Sequence, residues 1–326
     1  MPGNFASGII LLILVVVIWV TSSNVLQFLF QDSDFPKPLF TTWASTSLFS
    51  IYLLINPMVK RFSKPKSDGL LGQDIVSYAS FKHHLYKAFL FAPLWLVANL
   101  CYNSSLLHTS VTANTIISSS SSFFTFFFCI ITGRLKFKFL SLISILCTVL
   151  GVGLIAWNDR SGTHTLLGDV LALLGAVFYG IYTTTLDSFL STKPGKLKLN
   201  VLVFWGLTGV LCLFVYSPLL FLFHILHIER FSFPSTRILF VILLNASIGT
   251  VLSDLIWSYA LMLTNPLVAA LGISLTIPLA LIIDLVREKV KLNLEFIVGA
   301  VLTICAFSLI SILNNKKKQK DIQLIN

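Results

Sequence analysis

The sequence predicts an all-α integral membrane fold: ten transmembrane helices arranged as two inverted five-helix repeats. Three observations predict it. Charged residues make up only 11% of the 326 residues and apolar ones 56%, well short of the roughly 25% charge typical of a water-facing domain. The apolar residues come in solid blocks of about 20, the length of a helix crossing roughly 30 Å of hydrocarbon. Finally, the second half of the chain repeats the first.

The blocks place spans near 8–30, 38–59, 86–107, 110–131, 138–157, 167–189, 200–223, 238–261, 265–286 and 293–313. Barrel strands would alternate every second residue; these blocks do not, so helices satisfy the backbone inside lipid. The first span follows seven uncharged residues, with neither a basic leader nor a small-residue cleavage site, and is expected to stay as an anchor.

The net charge of +10 is distributed as topology signals. Sixteen of the 23 Lys and Arg residues fall on one side, in 60–87, 132–138, 190–199 and the tail; seven fall on the other. The positive-inside rule then puts both termini in the cytosol. The basic clusters attract anionic membrane lipid, and nucleic acid is not an expected partner. Cys101, Cys129, Cys147, Cys212 and Cys305 all lie in predicted spans without a Cys-x-x-Cys pair, so neither a zinc site nor a disulfide framework is implied. The glycosylation patterns at Asn103 and Asn245 also lie in spans and are expected to stay unmodified.

Shifting the sequence by 155 positions lays spans three to five on spans eight to ten without a gap. Asn99-Leu-Cys-Tyr102 falls on Asp254-Leu-Ile-Trp257, and Arg134-Leu-Lys-Phe137 on Lys289-Val-Lys-Leu292. A shift of 160 lays the first span on the sixth, Gly8 on Gly168, Trp19 on Tyr179 and Ser23 on Thr183. The halves are 1–160 and 161–314, followed by a basic cytosolic tail at 315–326. Five spans is an odd number, so the second half enters the membrane inverted. That design places a site near the midplane and allows alternating access.

An ionisable residue at membrane depth is costly and marks a functional site by default. Asp254 lies deepest. Ser247, Thr250, Asp254 and Trp257 share one α-helical face by spacing. Trp95, Asn99 and Tyr102 form the face of the repeat mate. Trp19, Ser23 and Gln27 form a stripe in the first span, Tyr179, Thr183 and Asp187 in the sixth, and Asn114, Ser118, Ser121 and Thr125 in the fourth. Together these stripes line a central cavity in which aromatics stack on a solute and Asp254 meets a cation or proton. The bland reading is that Ser, Thr and Asn hydrogen-bond helices together, and it is the preferred one for the run Ser118 to Ser122. Asp187 and Asp284 lie near span ends, and Asp169 suits a helix start. Pro278 can kink the ninth span, and Gly151 and Gly153 suit close packing.

No cofactor, metal site or enzyme activity is expected. The six histidines lie in loops or at span edges, and His224 and His227 lack a third ligand. No P-loop, nucleophile elbow or His-Glu-x-x-His is present.

The runs Ile18–Ser23 (IWVTSS), Trp95–Tyr102 (WLVANLCY), Ile248–Trp257 (IGTVLSDLIW) and Ser274–Leu279 (SLTIPL) now acquire a collective meaning. In this order the chain resembles the drug/metabolite transporter superfamily (EamA-type), within it the solute carrier 35 F subfamily, fifth-member type. The resemblance implies ten spans in two inverted halves and a transporter of a small-molecule solute in an endomembrane of vacuolar, Golgi or ER type. It also implies that the acidic position at Asp254 is common in the subfamily. Nucleotide-sugar carriers of the parent group supply basic residues around their cavity, because a desolvated pyrophosphate needs them. Here no Lys or Arg lies at depth, so a neutral or cationic solute, thiamine- or nucleobase-like, is expected, with proton coupling as an option. Nucleotide-sugar antiport, a cation channel and a non-transporting adaptor are the alternatives; the channel would need an oligomer, and a homodimer is compatible with the carrier.

Overall fold

Every element of regular structure among the described residues is helical, as a backbone that has exchanged water for hydrocarbon requires. In the computed structural model the described residues are 3–33, 35–55, 79–109, 111–158, 165–190 and 199–277, with scattered positions from 279 to 309. Pro278, Asp284, about half of the tenth span and the basic tail lie outside them.

Helix α1 (Gly3–Gln27) runs on into a π-helical turn, Phe28–Asp32. Helix α2 (Pro38–Ser47) begins with a proline in its first turn, where no N–H is missed, and continues through the 3₁₀ turn Leu48–Ser50 into α3 (Ile51–Ile55). Helix α4 (Phe81–His108) starts five residues before the predicted span, because Ser80 caps it by accepting from the His83 backbone N–H. The fourth span is two helices, α5 (Val111–Ser118) and α6 (Ser121–Ile131). Then come α7 (Phe139–Asn158) and α8 (Leu166–Leu190). The seventh span is α9 (Val201–Val215) and α10 (Pro218–Ile225), bent by 42° at Ser217–Pro218. The eighth is α11 (Thr236–Asn245), the π-helical stretch Ala246–Leu252 and α12 (Ser253–Leu263). Last is α13 (Pro266–Ile273), capped by Asn265. Among the described residues five helices are long and apolar enough to cross a membrane, and six if the bent pair counts as one.

The break in the fourth span corrects the expectation of a continuous helix. Ser120 Oγ donates to Ile117 O and Ser122 Oγ to Ser119 O. Serine hydroxyls compete in this way for carbonyls that the helix would use. The chain tightens to 3₁₀ spacing, with Ser120 N–H on Ile117 O at 3.1 Å and Ser122 N–H on Ser119 O at 3.2 Å. The same bonds recur 155 residues on, Leu275 N–H on Gly272 O at 3.0 Å and Ile277 N–H on Ser274 O at 3.3 Å.

Apolar residues such as Ile10, Leu54, Phe139 and Phe240 are exposed and form the surface that hydrocarbon covers. The interior is a slab of rings. Trp95, Trp205, Phe49, Phe91 and Phe204 are almost fully buried, with centroids 4.6 Å apart for Phe49–Trp205 and 4.8 Å for Trp95–Trp205. Phe49 comes from the 3₁₀ turn after α2, Phe91 and Trp95 from α4, and Phe204 and Trp205 from the first turns of α9.

Helix α1 packs on α12, and α8 packs on α4. Glycines permit both approaches. A Cβ on Gly8 would lie 2.8 Å from Thr264 and 2.9 Å from Leu263; one on Gly168 would lie 3.1 Å from His108.

Polar bonds tie the two ends of the bundle. Helix α2 has no side-chain cap of its own. Glu229, from the α10–α11 connection, supplies one: its Oε2 accepts from Leu39 N–H at 2.7 Å and its Oε1 from Phe40 N–H at 2.9 Å. A carboxylate at a helix start also meets the positive end of the dipole. At the opposite end Arg134, after α6, pairs with Asp187 near the end of α8.

Candidate functional site

Members of the five polar stripes border one cavity. A cavity of about 140 Å³ is lined by Trp19 and Ser23 of α1, Asn99 and Tyr102 of α4, Ser118 of α5, Tyr179 of α8, and Asp254 of α12. Trp95, Ser121 and Thr250 line it too. Asp254 is 3% exposed and, among the described residues, is the only Asp, Glu, Lys or Arg on the wall.

Much of the wall is bonded to itself. Ser23 Oγ and Tyr102 OH are 2.9 Å apart, and Asn99 Nδ2 donates to Trp95 O at 2.9 Å. Asn114, buried just behind, donates to Tyr102 O at 3.1 Å and accepts from Ser118 Oγ at 2.9 Å. Asn103 donates to Thr42 Oγ1 at 2.8 Å.

The rest of the wall differs. The Asp254 carboxyl has neither hydrogen bond nor ion pair among the described residues, the residue's backbone carbonyl accepting from Ser258 Oγ at 2.7 Å, and the Trp95 indole N–H, the Tyr179 hydroxyl and the Ser121 hydroxyl make no hydrogen bond there. The surrounding rings are close, Trp95–Tyr182 at 5.0 Å and Tyr179–Tyr182 at 4.8 Å.

Seven placements differ from the sequence expectation, and three of them are Gln27, Asn114 and Thr125, which do not border the cavity. Trp257 and Thr183 are fully buried but lie behind the wall; Trp257 packs its ring 6.3 Å from Trp19 and 6.0 Å from Tyr179. Ser247 is exposed and bonds Leu243 O. The spacing argument assumed 3.6 residues per turn, whereas residues 246–252 are π-helical with a wider turn, which carries Ser247 off the face of Asp254. Asp187 belongs to the ion pair with Arg134, away from the cavity.

Sequence reasoning missed Thr42, Ser45 and Thr46 of α2 and Tyr182 of α8, all on the wall. The cluster Thr41-Thr42 and Ser45-Thr46-Ser47, inside an otherwise apolar span, was the available signal.

The α12 aspartate, the broken fourth span and a central polar cavity describe a membrane protein that surrounds a solute-sized space. The decisive comparison is with an uncharacterized transporter of Schizosaccharomyces pombe, 33% identical over 95% of this chain and 96% of its own length. Residues 166–312 also match the model of the EamA-like transporter family. The chain belongs to the EamA-like transporter family. This EamA-like protein is also 31% identical to a thiamine-repressible mitochondrial transport protein of Saccharomyces cerevisiae, over 96% of this chain and 94% of that one. It is 25% identical to solute carrier family 35 member F5 of Mus musculus, over 95% and 77% respectively. A solved crystal structure superposes with a TM-score of 0.63 over 95% of this chain and 98% of that one; at 11% identity it shares the fold. The EamA-like chain is thus an integral membrane protein of the solute carrier 35 F kind, from a family of transporters.

Proposed function

We propose that the chain carries a small organic solute, neutral or cationic, by alternating access between two inverted five-span halves. The observation that carries this reading is the wall of the cavity: among the described residues it holds one aspartate whose carboxyl has no partner, and no Lys or Arg. A pyrophosphate held there would face an unpaired carboxylate and no fixed cation, and desolvating it would be prohibitive. A neutral or positive solute meets the reverse balance, and aromatic walls suit a flat ring.

Several features support two inverted halves and ten spans. Gly8 meets Leu263 as Gly168 meets His108, and both glycines and both partners are mates under the repeat. The helix breaks at Ser119–Ser120 and Ser274–Leu275 are mates as well. Interrupted spans at corresponding places in two halves are the usual setting of a carrier's site. Asp254 is the candidate for proton coupling. Thiamine is a first probe, since one relative is named thiamine-repressible. The basic loops support cytosolic termini, and an endomembrane is the proposed location.

The test is uptake by the purified full chain in proteoliposomes, with thiamine, adenine, uracil and a nucleotide sugar, with and without a pH gradient. Saturable uptake of a neutral or cationic compound is expected. Nucleotide-sugar exchange would overturn the charge argument, non-saturating ion flux would favour a channel, and no flux of any kind an adaptor.

A further inference from the structure

The polar groups of the cavity divide by whether their hydrogen bonds are already made, and that division defines the solute more narrowly. Resting on the carrier reading above, we propose that Asp254, Trp95, Tyr179 and Ser121 read the solute. Its class is a planar heteroaromatic with both a donor or cationic group and ring acceptors.

Ser23, Tyr102 and Ser118 hold one another or Asn114, so a solute gains little by competing for them. The unbonded groups have unmet demands. Trp95 is 2% exposed and Ser121 1%, and neither the indole N–H nor the hydroxyl has a hydrogen bond among the described residues. A buried polar group in that condition carries its full desolvation penalty until something pairs with it. An indole N–H only donates, so it asks for an acceptor. Helix α6 begins at Ser121, and the positive end of its dipole favours electron-rich atoms there. Asp254 asks for the opposite, a donor or a positive charge.

These demands exclude simpler ligands. A quaternary ammonium satisfies Asp254 and leaves the Trp95 N–H unmet. An anion satisfies the donors and confronts the carboxylate. A ring bearing an amino group beside a lone-pair nitrogen satisfies both, and the flanking rings of Trp95, Tyr179 and Tyr182 stack on its faces.

The experiment uses the full chain in proteoliposomes, radiolabelled adenine and thiamine as transported probes, and choline and benzyltrimethylammonium as competitors with charge but no ring acceptor. Adenine and thiamine should each be taken up saturably and should compete, while a hundredfold excess of either ammonium compound should not. Trp95→Phe and Ser121→Ala should each raise KM roughly tenfold, the worth of one neutral hydrogen bond, with kcat changed less. Ser118→Ala should shift KM under twofold. Thermal melting of each variant separates misfolding from lost recognition, and quenching of tryptophan fluorescence by adenine in detergent gives affinity without transport. Equal competition by choline, or a KM that follows Ser118 and ignores Trp95 and Ser121, overturns the assignment while saturable uptake by the unaltered chain keeps the carrier reading. Absence of saturable uptake of any probe overturns both.

Discussion

Trp19 donates its indole N–H to Ser253 at 3.0 Å, so α1 grips α12 at the residue before Asp254. The bond joins the two halves of the sequence at the wall of the cavity. Trp19→Phe, which keeps a ring, and Ser253→Ala should each cost about 1 kcal/mol of stability. The double variant should cost little more than either one, because a single bond is removed. Denaturant or thermal unfolding in detergent reads all three; full additivity would mean that the contact contributes nothing.

Asp254→Asn should reduce uptake at least tenfold and leave the melting temperature unchanged or raised. The substitution removes a buried charge that has no partner among the described residues, and such charges destabilise their surroundings. Transport at the original rate would make this aspartate a structural residue.

Gly249 lies where α11 runs into α12 and faces the first span. A Cβ there would come within 2.3 Å of Ser22 Oγ and 2.7 Å of Ser22 Cβ. Gly249→Ala should therefore cost on the order of 1–3 kcal/mol, the range of overpacking. Adding Ser22→Gly should restore most of it, because the obstruction is that side chain. Expression level and melting temperature of the single and double variants check this.

Burial pushes the Glu229 carboxyl above its ordinary value of 4.5, although the N–H groups of Phe40 and Leu39 and the charge of Lys37 pull the other way. A raised folded-state value means that the docked connection binds its proton more tightly than the undocked one. Docking of the α10–α11 connection on α2 should then strengthen as pH falls through the raised value, and the gain should be complete below 4.5. Glu229→Gln should flatten this dependence. Hydrogen exchange at Leu39 and Phe40 between pH 4 and 8 measures it, and protection that rises with pH instead would contradict the sign.

The membrane-spanning character was legible because hydropathy reports burial in lipid directly, residue by residue. Asp254, Asn99 and Tyr102 were legible because the repeat put them in register and α-helical spacing gave their face. Trp257 and Thr183 share such faces yet sit one layer behind the wall, since spacing gives direction around a helix and not depth from a cavity. Ser247 failed because a π-helical stretch depends on which neighbours claim the backbone: Tyr52, 199 residues away, takes the carbonyl of Val251 at 2.6 Å. Glu229 capping α2 from 190 residues away was beyond any local pattern. The break at Ser119–Ser120 had its signal in the serine run, which reads equally as packing until the hydroxyls are seen taking backbone carbonyls.

The π-helical stretch at Ala246–Leu252 makes the site sensitive to chain length in one place. A helix carrying a surplus residue in its turns is held by its surroundings, and losing that residue lets it relax to ordinary pitch. A single-residue deletion between 246 and 252 would remove that surplus and leave α12 near its present orientation, whereas a further insertion, with no wider turn to absorb it, would swing α12 by about 100° and turn Asp254 off the wall. Length variation in this stretch is therefore asymmetric, with the loss of one residue compatible with a working site and the gain of one not.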